Sequence, residues 1–185
     1  MNDNLVTELT GLLWRRDRHP SGAIRSAARG RLARLKRDAQ RGAYADSLQL
    51  VMSCTANQKD EDAALTLVRL FALQPLPESS TSLASALRQS DAYKNAKEST
   101  VLRFRALLNT DAEDLEQAIR RLLPMLPDRG LNWNDLYWAL RHWSESETEE
   151  QDSPQRQWAR DFWAPRPTKN KNKNSNDSDK EKEQP

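Results

Sequence analysis

The stretch DAALTLVRLFAL at residues 62–73 decides the fold that this sequence predicts. Its apolar side chains, among them Leu67, Leu70 and Phe71, are spread around most of a helix instead of along one face. A helix that is apolar nearly all round must be enclosed by other elements, because it has no polar face to turn toward water. Residues 62–73 are therefore predicted to form the central, buried helix of a helical bundle.

Amphipathic helices are predicted on the N-terminal side of this segment. Apolar residues of the segment 5–13 recur at helical spacing, and Trp14 ends their stripe, so we expect Trp14 in the core as well. The sequence HPSG at residues 19–22 breaks this helix. A second helix is predicted over residues 21–41. Its apolar stripe consists of Ile24, Ala28, Leu32 and Leu35. Residues 47–56 fit a helix or a short strand, and we favour a helix.

A polar loop at residues 74–81 follows the central helix and predicts a division into two helical lobes, residues 1–75 and 82–164. Helices of the second lobe are predicted at residues 82–89, at residues 99–108, after a capping box formed by Thr110 and Glu113, after an N-cap at Asn132, and around Trp158. One domain thus spans residues 1–164. Residues 165–185 form a polar tail without apolar anchors, which we predict to be disordered.

The composition favours an all-α fold in an aqueous compartment. Strong helix formers dominate, and β-branched residues never alternate over a useful stretch. The single cysteine, Cys54, excludes an intramolecular disulfide and fits a reducing cytoplasm. No apolar run approaches the roughly 20 residues that a membrane helix needs. We expect a compact, all-α helical bundle in the cytoplasm that has no contact with a membrane.

A search for catalytic chemistry gives no candidate active site. The two histidines, His19 and His142, and the one cysteine lack the spacing of a metal site. The sequence contains no Gly-rich phosphate loop and no HExxH or GxSxG motif. The acidic cluster at residues 111–116 fits a helix N-terminus, where carboxylates favour the helix dipole. We expect a non-enzymatic protein that holds no metal and no cofactor.

Positive charge is concentrated in residues 15–41, although the net charge of the chain is only +2. Ten basic residues in this segment are opposed only by Asp17 and Asp38. An arginine guanidinium stays charged and presents a planar fork of donors that suits phosphate. Neutralising several phosphates also releases counterions, which favours binding. The candidate nucleic-acid-binding residues of this segment are Arg25, Arg29, Arg34 and Arg37.

Further arginines interrupt apolar stripes in the C-terminal half. Around the sequence RFR at residues 103–105, Val101, Phe104 and Leu108 form the core stripe and turn Arg103 outward. In the sequence IRRL at residues 119–122, both arginines face away from the apolar stripe. We predict that these side chains continue a positive groove that the N-terminal arginines begin. The candidates of this half are Arg103, Arg105, Arg120 and Arg121.

The six tryptophans raise the question of base stacking, which aromatic side chains provide in single-strand binding. Trp133, Trp143 and Trp158, however, fall at the core positions of their predicted helices. Large aromatic side chains at such positions fill the core of a small bundle. We therefore predict that these three tryptophans are buried.

Six stretches of the chain resemble one family in their order and spacing. They are a Trp-ended opening helix with the basic RGRLARLKR at residues 29–37, SLASAL at 82–87, LRFRALL at 102–108, IRRLL at 119–123, NW at 132–133 leading to Trp143, and WARDFW at 158–163. Together they resemble the CasB family, the small subunit of the type I-E CRISPR Cascade complex.

The resemblance implies a helical, non-catalytic protein that acts in antiviral defence. It implies contacts with the guide RNA, with the target DNA including the displaced strand, with the backbone and large subunits of Cascade, and with a second copy of itself. Arg103 and Arg121 match basic positions that face nucleic acid in the family, and Arg34 and Arg37 match further positions. The sequence departs from relatives at Asn109 and directly after Trp143, where they can carry basic residues.

Two other functions remain open at this point. The basic segment could dock on an acidic protein, which would make the chain a helical protein–protein adaptor or scaffold without nucleic-acid contact. The turn PDRG at residues 127–130, before Asn132, is also compatible with a helix-turn-helix regulator. The helix after this turn is apolar and rich in tryptophan, whereas a recognition helix exposes polar residues to base edges. The sequence therefore favours a nucleic-acid-binding CRISPR subunit or a helical adaptor over a helix-turn-helix regulator.

Overall fold

The computed structural model describes residues 3–55, 60–145 and 153–164, and within these ranges the protein is all-α. The ten α-helices of the described ranges are α1 Asp3–Asp17, α2 Gly22–Arg41, α3 Ala45–Cys54, α4 Glu61–Leu73, α5 Leu83–Gln89, α6 Asp91–Asn95, α7 Lys97–Leu108, α8 Leu115–Leu122, α9 Trp133–His142 and α10 Pro154–Trp163. The predicted fold class is confirmed. The predicted disorder of residues 165–185 lies outside the described residues.

Four of these helices have a serine or asparagine N-cap. The side-chain oxygens of Ser82, Ser90, Asn132 and Ser153 each accept a hydrogen bond from a backbone N–H in the first turn of α5, α6, α9 and α10. These bonds satisfy donors that a helix start leaves unpaired. The predicted N-cap at Asn132 is therefore confirmed.

The capping box predicted from Thr110 and Glu113 is wrong. The hydroxyl of Thr110 donates instead to the carbonyl of Ala106, at 2.7 Å, within the preceding helix. A 3₁₀ turn, Ala112–Asp114, then leads into α8 without a side-chain cap. The helical turn begins at Ala112, so Asp111 occupies the N-cap position and Thr110 lies one residue before it.

Helix α4 is the centre of the bundle, as its sequence predicts. It buries Ala64, Leu67, Val68, Leu70, Phe71 and Ala72, and it packs against α2, α3, α8 and α9. The ring of Phe71 meets the indole of Trp133 edge-on, with the ring centroids 5.0 Å apart. Buried residues from both predicted lobes, 1–75 and 82–164, belong to one apolar cluster. The two halves thus share a core, while their division into lobes stays a prediction.

The loop after α4 is fastened to the start of α9. Within this contact Leu131 donates its N–H to the carbonyl of Pro77 at 3.0 Å, and Ser79 donates its N–H to the carbonyl of Leu131 at 3.1 Å. Gly130 makes the close approach with a φ of 109°, and a Cβ there would lie 2.7 Å from the Pro77 carbonyl oxygen. Only glycine fits this conformation and this space without strain.

The three tryptophans predicted to fill the core are buried, but the prediction for Trp14 is wrong. Trp133, Trp143 and Trp158 expose at most 4% of their surface, whereas Trp14 exposes 52%. At about 100° per residue, Trp14 falls roughly 140° from the centre of the buried stripe of α1. Position 14 therefore lies on the outer face of the helix, although it directly follows the buried Leu13.

We expect the substitution Phe71→Ala to lower the free energy of unfolding by about 3–5 kcal/mol, because it removes a fully buried ring at the junction of α4 and α9. The matched control is Leu102→Ala, which truncates a side chain that is 64% exposed and should change stability by less than about 0.5 kcal/mol. Urea denaturation measures both values. Equal losses in the two variants would contradict the central position of α4.

Candidate nucleic-acid interface

A surface groove of about 420 Å³ runs between α7 and α8. The residues that line it are Arg103, Ala106, Leu107, Thr110, Ala118, Arg121 and Leu122. We call it the α7–α8 groove. It brings together one arginine from each of the two C-terminal sequence motifs, and these two arginines lie 18 residues apart along the chain. Its remaining lining is mostly small or apolar.

Core packing on both helices sets the positions of these two arginines. On α7 the buried residues include Phe104, which stacks on Phe162 of α10 with ring centroids 4.1 Å apart. On α8 the buried residues are Leu115, Ile119 and Leu122. Arg103 and Arg121 each directly adjoin a buried residue and are themselves exposed. Because their helices are anchored by the neighbouring core residues, the two side chains emerge from fixed positions.

Neither arginine of the α7–α8 groove is neutralised by a carboxylate of the described residues. The guanidinium of Arg103 approaches the sulfur of Met125 at 3.4 Å, a weak contact that leaves its charge in place. Arg121 makes no hydrogen bond or ion pair with the part of the chain that the structure describes. Both guanidinium groups therefore have donors available for an external anion.

Arg120, the neighbour of Arg121, is held inside the protein. Its guanidinium donates to the carbonyl of Ala39 on α2 at 3.1 Å and lies 3.5 Å from the carboxylate of Glu116. The same carboxylate pairs with Arg69 of α4 at 2.9 Å. This network, Arg69–Glu116–Arg120, joins α2, α4 and α8. The sequence predicts both Arg120 and Arg121 to face outward, yet Arg121 is exposed and Arg120 is half-buried.

The four candidate arginines of α2 lie outside the α7–α8 groove. Arg34 pairs with Asp46 of α3 at 3.0 Å, and Arg25 donates to the carbonyls of His19 and Pro20. Arg29 and Arg37 are exposed. The eighth candidate, Arg105, is exposed on α7 but does not line the groove either.

The electrostatic character changes at the far end of the groove. An adjoining hollow shares Thr110, Ala118 and Arg121 with it, but adds Asp111 and Asp114. Carboxylates repel a phosphodiester. The part of this surface that favours an anionic ligand is therefore confined to the end between Arg103 and Arg121. The hollow also contains Asn109.

Two further kinds of feature, a cluster of metal-ligating side chains and a membrane-spanning helix, are absent from the part of the chain that the structure describes. No group of three or more His, Cys, Asp or Glu side chains could hold a metal ion there. No described helix has the length and apolar character needed to cross a membrane.

Sequence reasoning missed two features of the structure. The retention of Arg120 by a backbone carbonyl of α2 depends on a contact 81 residues away in the chain, and no local pattern signals it. The exposure of Trp14, by contrast, follows from its angle on α1 and was available from the sequence.

Comparison with solved structures identifies the fold. A CRISPR-associated protein of the Cse2 family from Thermus thermophilus matches with a TM-score of 0.64 and 21% identity, over 85% of this chain and 97% of that chain. A structure of CasB from Thermus thermophilus matches with a TM-score of 0.62 and 19% identity, over 89% and 98% of the two chains. CasB from M. ruber gives a TM-score of 0.56 and 19% identity, over 83% and 90%. The fold is thus that of small, all-α CRISPR-associated proteins.

A match to a family model identifies the sequence family. The model of the family described as CRISPR-associated protein Cse2 matches residues 31–163, which is more than half of the chain. A comparison with curated proteins gives no match. The chain belongs to the Cse2 (CasB) family, the small subunit of type I-E CRISPR systems. The resemblance predicted from the sequence is confirmed.

We expect Glu116→Gln to destabilise the protein by about 1–3 kcal/mol, because Arg69 and Arg120 would lose their shared carboxylate in a partly buried position. Glu113→Gln, on the exposed 3₁₀ turn before α8, serves as the control and should change stability by less than about 0.5 kcal/mol. Urea unfolding of both variants gives the comparison. An unchanged midpoint for Glu116→Gln would mean that the network does not hold α8 in place.

Proposed function

We propose that this protein is a non-catalytic small subunit of a type I-E CRISPR Cascade complex. In this role it binds guide and target nucleic acid without reading sequence, and it stabilises the R-loop, including the displaced strand, in antiviral defence. One observation carries the proposal: Arg103 and Arg121, from two different helices, line one groove with donors that no described carboxylate neutralises.

The chemistry of the groove suits a nucleic-acid backbone. Guanidinium groups bind phosphate oxygens through paired donors, and they remain charged at any physiological pH. In RNA-guided complexes base pairing with the guide reads the sequence, so the protein needs only backbone contacts. A pair of cations beside a mostly apolar surface supplies such contacts without base discrimination. The protein would thereby lower the free energy of the open R-loop without performing chemistry.

The basic segment of α2 supports an extension of this surface. The bond from Arg120 to the carbonyl of Ala39 brings α8 against the last turns of α2. Those turns also carry the exposed residues Arg37 and Arg41. A strand that leaves the α7–α8 groove near Arg121 would therefore have further cations within a short distance. Arg34 contributes less in this proposal, because Asp46 already neutralises it.

The proposed partners follow from the family. They are the guide RNA, the target DNA with its displaced strand, the backbone and large subunits of Cascade, and a second copy of this chain. The exposed side chains of Tyr44, at the N-cap of α3, and of Leu48 and Met52 within this helix are spaced four residues apart and favour a protein neighbour on that side. The same stripe is the observation that favours the alternative function, a helical adaptor without direct nucleic-acid contact.

We expect the double variant Arg103→Ala, Arg121→Ala to weaken R-loop formation by the assembled complex, because two phosphate contacts are lost. The logarithm of the binding constant should depend less steeply on the logarithm of the salt concentration, with the slope reduced by about 1.5. Titrations of target DNA at several salt concentrations measure both effects.

The matched control removes the same charge elsewhere. Lys94 and Arg129 both lie near Asp91, away from the groove, so the double variant Lys94→Ala, Arg129→Ala should leave the salt slope unchanged. If the groove variant assembles normally and forms R-loops with unchanged stability and salt dependence, the assignment of Arg103 and Arg121 fails and the adaptor function is favoured.

A further inference from the structure

Trp14 is a large aromatic side chain on the outer face of α1, with 52% of its surface exposed. The imidazole of His19 meets its ring edge-on, with ring centroids 5.4 Å apart and an angle of 85° between the planes. Nδ1 of His19 accepts a hydrogen bond from the N–H of Ser21 at 3.1 Å, which fixes the imidazole in the turn. The indole is therefore packed against the imidazole of His19, while about half of its surface faces solvent.

The turn between α1 and α2 is held rigid around this indole. The N–H of Arg18 donates to the carbonyl of Trp14 at 2.8 Å. The guanidinium of Arg25 donates to the carbonyls of His19 and Pro20, at 2.5 and 3.0 Å. A surface that is already ordered before binding loses less conformational entropy when a ligand arrives. This rigidity suits Trp14 to recognition.

The charge around Trp14 is strongly positive. Asp17 is the sole carboxylate among residues 14–29, and both of its oxygens accept hydrogen bonds from Arg16, at 2.6 and 2.7 Å. The hydrogen bonds from Arg16 lower the pKa of Asp17, and the charges of Arg29 and Arg18, which interact electrostatically with this carboxylate, lower it further. Since Arg16 already neutralises Asp17, the charges of Arg18 and Arg29 are in excess.

We infer that Trp14 is a stacking platform for an unpaired base of single-stranded nucleic acid, with the adjacent phosphates held by Arg18 and Arg29. An exposed aromatic ring flanked by cations is the combination that binds single strands without sequence preference. A paired base inside a duplex has both faces covered by its neighbours, so the site should discriminate against duplex. The site lies outside the α7–α8 groove, and its indole precedes the segment 31–163 that matches the family model.

A polyanion is a better occupant of this surface than a protein partner. The exposed indole alone would suit either. The excess of arginine next to it, however, favours a ligand with a dense row of negative charges, which a phosphodiester backbone supplies at every nucleotide. The inference rests on the proposed function, because both take nucleic acid as the ligand, but it assigns a separate site that can be tested by itself.

The test measures the affinity of the full-length chain for a fluorescent single-stranded oligothymidylate and for a duplex of the same length, by anisotropy at low salt. Trp14→Ala should weaken single-strand binding about 5- to 100-fold, as expected for the loss of one stacked base, and should affect duplex binding much less. Trp14→Phe keeps an aromatic face and should retain most of the affinity. Because Trp14 is exposed, the urea midpoint of Trp14→Ala should match that of the unmodified protein.

The outcomes separate this inference from the proposed function. If Trp14→Ala binds the single strand as the unmodified protein does, while Arg103→Ala with Arg121→Ala binds less tightly, the platform is wrong and the proposed function stands. If Trp14→Ala lowers incorporation into the assembled complex but leaves oligonucleotide affinity unchanged, Trp14 contacts a protein and the inference is overturned. If the unmodified chain binds neither probe, the platform is wrong, whereas R-loop formation by the assembled complex still decides the proposed function.

Discussion

The edge-on contact between Phe71 and Trp133, at 5.0 Å, lies where the two halves of this protein meet, and the remaining structure depends on it. Phe71 belongs to α4, a helix with apolar residues on most of its circumference, which must therefore be enclosed by other helices. Helices α2 and α3 enclose it with residues from before the loop, and α8 and α9 with residues from after it. The indole N–H of Trp133 also donates to the carbonyl of Leu76 at 2.9 Å, so the loop itself is fixed.

This packing determines which arginines face outward. A partly buried polar network joins Glu116 to Arg69 and Arg120, and these two guanidinium groups link neighbouring helices. The next residue, Arg121, is about 100° further around α8 and reaches the α7–α8 groove. Neighbouring arginines thus differ in role because the rotation between them separates a helix–helix contact from an open surface. The same distinction applies on α2, where Arg34 is paired and Arg37 is exposed.

The sequence predicts the helices well, because their signals are local. Apolar periodicity locates α1, α2 and α4, and the oxygen of Asn132 marks the start of α9. The failures arise where a distant or competing contact decides. The hydroxyl of Thr110 donates to the carbonyl of Ala106, and the following turn has Asp111 at its N-cap position instead. Arg120 is retained by the carbonyl of Ala39 across 81 residues of chain. Trp14 is a different error, since its helical angle alone places it on the outer face. The meeting of Arg103 and Arg121 in one groove required the tertiary structure, whereas their outward direction did not.

The central claim is that the α7–α8 groove contacts nucleic acid rather than another protein. Ala106 is exposed on the lining of this groove, beside Arg103, and replacing it with a photo-cross-linking amino acid would report directly on what lies there. Asn95, exposed on α6, provides a control position. In the complex assembled on guide RNA and target DNA, we predict a cross-link to nucleic acid from position 106 and none from position 95. Cross-links from position 106 to protein subunits alone would contradict the account.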